Sequence, residues 1–157
     1  MRKKKKKVII VENDRSVFIQ IAKKFQEHGF SVYPDNPADY FKLKADVLLN
    51  MSINADNEKR IKAGDEIIYD FENFIEKDNN VYCIIDYNLF FKDSEASGIS
   101  FYEKFIKNKV KITFFTVSPD VDFSEVVNFT NKEKKCFFIL KDKENKFIFK
   151  KIQELIF

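Results

Sequence analysis

The sequence predicts an α/β protein built on a doubly wound, five-stranded parallel sheet, and three observations lead there. Residues 81–85, Val-Tyr-Cys-Ile-Ile, form an unbroken run of β-favouring apolar side chains that ends in Asp86. A run with no polar alternation marks a strand buried on both faces. Residues 8–11, Val-Ile-Ile-Val, repeat the pattern and run into Glu12, Asn13 and Asp14. Further short strands alternate with stretches of helical apolar spacing, an order that implies a parallel sheet joined by right-handed crossovers.

The 157 residues suit a single domain, 45% hydrophobic and 34% charged, with only three Gly and three Pro to argue for linkers. Abundant Phe, Lys, Ile and Asn point to an AT-rich coding sequence, which discounts the lysine content as a functional signal. The formal charge of +3 does not call for a nucleic-acid partner. Cys83 and Cys136 fall inside expected strands and read as small core hydrophobes in a reducing cytoplasm. With one His in the chain, a Cys/His zinc site is not expected. No apolar run approaches the ~18 residues of a membrane span. Residues 1–7 read as a solvated basic tail, because the apolar run after them is too short for a secretion signal and Glu12 interrupts it.

Taken in order, residues 8–11 are the first strand. A helix follows, with Val17, Phe18, Ile21, Ala22 and Phe25 on one face, Asp14 as its cap, His28 in its last turn and Gly29 just beyond. Residues 30–33 form a short strand ended by Pro34. Residues 34–63 read as an insertion, in which 38–50 suit a helix or 47–53 a strand, with a break at 54–57. Residues 65–77 make a helix whose face carries Ile67, Ile68, Phe71, Phe74 and Ile75. After the central strand comes a polar loop, 92–97, then Gly98 and a helix carrying Ile99, Phe101, Tyr102, Phe105 and Ile106. Residues 111–116 are a strand, 117–120 a turn, 123–131 a short helix and 136–140 the last strand. Residues 145–157 close the chain as a helix with Ile148, Ile152, Leu155 and Ile156 inward.

Four expected strand ends carry polar groups: Glu12-Asn13-Asp14, Asp86 with Asn88, Thr116, and Lys141. In a doubly wound sheet they share one edge, where such folds place their chemistry. Acidic oxygens there suit Mg²⁺, and a hydroxyl with an ammonium suits phosphate oxygens.

At these residues the chain resembles the receiver domain of two-component response regulators. The resemblance rests on Val-Ile-Ile-Val-Glu12-Asn13-Asp14, Ile-Ile-Asp86-Tyr-Asn88-Leu89, Gly98, Phe-Phe-Thr116 and Ile-Leu-Lys141. The spacing from Asp86 to Thr116 fits the family, and only part of residues 34–80 lies outside the match. The resemblance implies a flavodoxin-like sheet of order 2-1-3-4-5. It implies that Asp86 accepts a phosphoryl group from a sensor histidine kinase or phosphotransfer protein, acting as a phosphoacceptor that catalyses its own chemistry and not as a turnover enzyme. Glu12, position 13, Asp86 and the main-chain carbonyl of Asn88 would hold Mg²⁺. Thr116 and Lys141 would bind the phosphoryl group, and Phe138 would be the aromatic switch. Output would run by protein contact, and homodimerisation would use the fourth helix, fifth strand and fifth helix. Because the sequence stops after the fifth helix, a stand-alone receiver is expected.

The chain departs from the family pattern at Asn13, where an Asp is usual. An amide oxygen ligates Mg²⁺ without charge, so affinity should fall unless Asp14 compensates. Phe90 and Asp142 stand where Pro is common. A second reading is therefore a pseudo-receiver, a binding module with lost or weakened phosphorylation. A third, another α/β enzyme on the same edge, lacks a Gly-rich phosphate loop.

Overall fold

The computed structural model describes residues 6–12, 14–35, 43, 55–76, 80–89 and 97–157. Five strands, β1 (Lys7–Val11), β2 (Ser31–Tyr33), β3 (Val81–Asp86), β4 (Ile112–Val117) and β5 (Cys136–Leu140), form one sheet. Its order is β2-β1-β3-β4-β5 and every pairing is parallel, the flavodoxin-like arrangement. The helices are α1 (Arg15–Glu27), α2 (Asn57–Ile75), α3 (Gly98–Phe101, continued by a π-helical turn Tyr102–Ile106), α4 (Ser124–Lys132) and α5 (Lys146–Leu155).

The absence of polar alternation in β1 and β3 has the expected cause: both strands are buried along their whole length, because helices cover both faces of the sheet. On one face α1 and α5 pack Phe18, Ile21, Phe25, Ile148 and Ile152 against Val8, Ile10, Ile84 and Phe114. On the other, α2, α3 and α4 pack Ile67, Phe71, Phe101, Phe105 and Val126 against Ile9, Cys83, Ile85 and Phe115. Phe rings supply much of this core through edge-on contacts such as Phe25–Phe30 and Phe71–Phe101. Leu43, from within the insertion, joins the second face.

Local chemistry sets the helix ends. Asp14 caps α1 by accepting from the Ser16 and Val17 amides, and the helix stops at Gly29, whose φ of +80° glycine adopts without strain. His28 sits at the end of α1: its ring stacks on Phe157 at 3.8 Å and its Nδ1 lies 2.9 Å from the Lys24 carbonyl. The last turn of α2 carries no basic residue, and the cation comes from β1: the Lys7 ammonium donates to the Phe74 carbonyl at 2.7 Å.

Three sequence-based expectations are corrected. Lys7, placed in the basic tail, is the first residue of β1 and is buried. The helix expected over 65–77 begins at Asn57, capped by the Asp56 carboxylate on the Glu58 amide, so the last residues assigned to the insertion are its opening turns. Leu155, expected to face inward, is exposed, whereas Ile156 is buried. The alternatives for 38–50 and 47–53 lie outside the described residues, Leu43 excepted.

Candidate functional site

Strand alternation assembles the site. In β1, Val8 and Ile10 face α1 and α5, so Glu12, two residues on, keeps that side. Ile84 sets the same side for Asp86, Phe114 for Thr116 and Ile139 for Lys141. The register then brings them level. Val11 pairs Ile85, so Glu12 stands beside Asp86; Asp86 pairs Thr116; and the Lys141 amide donates to the Val117 carbonyl, carrying the β4–β5 pairing one residue past the strand. Four residues scattered over the sequence thus meet at one edge on one face.

The contacts are direct. The Lys141 ammonium lies 3.1 Å from Asp86 Oδ2 and 3.2 Å from Glu12 Oε1. The Thr116 hydroxyl points at Glu12 Oε2 across 3.5 Å. The other Asp86 oxygen, Oδ1, accepts from the Asn88 amide at 3.0 Å, and Glu12 Oε1 also accepts from the Asp14 amide at 3.1 Å. Both carboxylates are almost sealed from solvent, with side chains 0% and 4% exposed for Glu12 and Asp86, while Lys141 keeps 21%. A charge so buried is tolerated only when paired and hydrogen-bonded, and here one ammonium serves two carboxyl groups.

That imbalance falls on Glu12. Burial, and then the charge of Asp86, raise its pKa to about 8, against the opposing pull of Lys141. Burial works against the charged form of Lys141, but Glu12 and Asp86 outweigh it and hold its pKa above the usual lysine value. One ammonium thus faces two buried carboxyl groups, and Glu12 is the one pushed toward its neutral form.

Of the residues singled out from the sequence, Glu12, Asp86, Thr116 and Lys141 come together. Asp14 contributes its amide to Glu12, while its carboxylate is taken by the α1 cap. Asn88 supplies its amide to Asp86. Phe138 belongs to the opposite face, half-buried, with its ring 6.4 Å from that of Phe123 on the approach to α4. Asn13 and Phe90 lie outside the described residues. Among the described residues no three acidic, imidazole or thiol side chains are grouped to hold a metal ion. Glu12 and Asp86 nevertheless fit a hard divalent cation: they are oxygen donors, adjacent, and share one ammonium.

Two residues frame the site through its backbone. Gly98 opens α3 directly against the end of β3; its amide donates to the Tyr87 carbonyl at 2.7 Å, and a Cβ there would sit 2.6 Å from the Asp86 carbonyl oxygen. Tyr87 was not foreseen. Its amide donates to the Thr116 carbonyl at 2.9 Å and its hydroxyl to Glu125 on α4 at 2.9 Å. Nothing in sequence spacing links positions 87 and 125; only the adjacency of Tyr87 to Asp86 could have drawn attention to it.

The chain matches no family model, no curated protein and no solved structure. Among the described residues no helix is long and apolar enough to cross a membrane.

Proposed function

We propose that the chain is a receiver that accepts a phosphoryl group on Asp86. The observation that carries the reading is the Lys141 ammonium held within 3.1 Å of Asp86 and 3.2 Å of Glu12, beside the Thr116 hydroxyl, at the carboxyl edge of a parallel sheet. A carboxylate oxygen of Asp86 attacks the phosphorus in line, the donor nitrogen of a phosphohistidine leaves, and an acyl phosphate forms. The donor is a sensor histidine kinase or a phosphotransfer protein of the cytoplasm. Lys141 and Thr116 turn from Glu12 and Asp86 to the new phosphoryl oxygens. Glu12 and Asp86, with position 13 and the Asn88 carbonyl, would hold Mg²⁺, which would supply positive charge against the incoming phosphoryl group. Phe138, whose ring lies tilted near that of Phe123, follows the β4–α4 connection as Thr116 is drawn in. Output runs by contact with another protein, with α4, β5 and α5 as the surface for that contact or for a homodimer.

The test is phosphorylation by acetyl phosphate with Mg²⁺, read as a mobility shift on a phosphate-affinity gel. The native chain should shift and Asp86→Asn should not; no shift in the native chain sinks the proposal.

A second reading has its own support. The Asp14 carboxylate is committed to the α1 cap, which leaves two acidic ligands where the receiver family usually offers three. On this reading the chain keeps the fold as a binding module with weakened phosphorylation, and Asp86→Asn leaves partner capture unchanged.

A further inference from the structure

Resting on the receiver reading, we infer that Tyr87 is a positioning residue that latches the first turn of α4 to the site through Glu125, and so opposes the movement that phosphorylation of Asp86 demands. The backbone of Tyr87 is pinned on two sides, by its amide on the Thr116 carbonyl (2.9 Å) and its carbonyl on the Gly98 amide (2.7 Å). The glycine cannot back away, since α3 begins in contact with the Asp86 and Tyr87 backbone. Tyr87 is thus a fixed post directly after the acceptor. Its hydroxyl then reaches across to Glu125 Oε2 at 2.9 Å, in the opening turn of α4.

The same turn is joined to the site by a second route, the connection from Thr116 through Phe123. When the Thr116 hydroxyl leaves Glu12 for a phosphoryl group on Asp86, that connection is drawn inward and carries Ser124 and Glu125 with it. One end of the Tyr87–Glu125 bond is fixed and the other moves, so the bond is strained or lost. Because it is formed in the unphosphorylated arrangement, it stabilises that arrangement and weakens binding of the phosphoryl group. A charge-assisted bond at a partly exposed site supports a modest effect, on the order of threefold to tenfold in affinity.

The experiment measures the affinity of the chain for beryllofluoride with Mg²⁺, a stable mimic of the acyl phosphate. It compares the native chain, Tyr87→Phe, Glu125→Ala and the double variant. The latch predicts tighter binding by about threefold to tenfold in each single variant, with no further gain in the double variant. It also predicts faster amide exchange in the first turn of α4 in unliganded Tyr87→Phe. A tyrosine that served stability alone would lower the unfolding midpoint and leave the affinities equal; equal or weaker binding in Tyr87→Phe overturns the latch and leaves the receiver reading intact. Binding by none of the four proteins overturns the receiver reading and the latch with it.

Discussion

Thr113 and Thr116 lie on the same strand, β4, and are both buried, at 1% and 0% exposure. Strand alternation sends them to opposite faces. Thr116 stands at the carboxyl edge in register with Asp86, its hydroxyl directed at Glu12. Thr113 stands toward the amino edge in register with Cys83 on one side and Cys136 on the other, and its hydroxyl has no hydrogen-bond partner among the described residues. At one edge the sheet gathers two carboxyl groups, an ammonium and a hydroxyl that satisfy one another. At the other it carries a row of small, weakly polar groups, of which the Cys136 thiol pairs with the Tyr102 hydroxyl. Polar character alone does not mark the site; what marks it is charge brought into register, two carboxyl groups around one ammonium.

The largest effect should come from removing that cation. Lys141→Met leaves two buried carboxyl groups facing each other, and breaking a buried pair costs about 3–5 kcal/mol, reduced here to about 2–4 because Lys141 is partly exposed and Glu12 can take up a proton. Urea unfolding at pH 8 should show it, with a smaller loss at pH 5. Gly98→Ala comes next: a Cβ 2.6 Å from the Asp86 carbonyl must displace backbone, at a cost of about 1–3 kcal/mol, whereas Thr113→Ser at the passive edge should fall within a kcal/mol or so.

The pH dependence sharpens the contrast further. Glu12 is raised from 4.5 in the unfolded chain to about 8 when folded, so between these values the native state binds the extra proton. Stability in metal-free buffer should therefore fall as pH rises from 5 to 8, and Glu12→Gln should flatten the fall. Lys141, held above the usual lysine value, stays charged throughout that window. An unchanged unfolding midpoint in the native chain would remove Glu12 from the account. The smallest effect separates the two threonines. Thr113→Val deletes an unpartnered hydroxyl and should raise stability by about 0.5–1 kcal/mol, while Thr116→Val should be neutral or lower it by a similar amount. Equal shifts for the pair, by calorimetry, would dissolve the distinction.

The sheet was legible in the sequence because burial on both faces writes itself as unbroken apolar runs, as in residues 8–11 and 81–85, and because polar residues interrupt those runs where the strands end. The same logic located Glu12, Asp86, Thr116 and Lys141. The opening of α2 was not legible: Asn57, Glu58, Lys59, Arg60 and Lys62 give no apolar period, and the side that packs inward carries Ala63 and Gly64, too small to signal burial. Leu155 and Ile156 compete for one inward position at a fraying helix end, where periodicity cannot choose between neighbours. Asp14 could have ligated or capped, and the α1 amides took it. The Tyr87–Glu125 bond depends on where α4 comes to rest, which no local pattern encodes.

The row at the quiet edge has one practical use. Cys83 and Cys136 are both buried and lie on strands separated by β4, roughly 10 Å apart, too far for a disulfide without tearing the sheet. Burial raises the pKa of both thiols, so neither is nucleophilic while the chain is folded. Alkylating reagents will then report only on molecules whose sheet has come apart, giving the chain a built-in gauge of global opening that requires no added label.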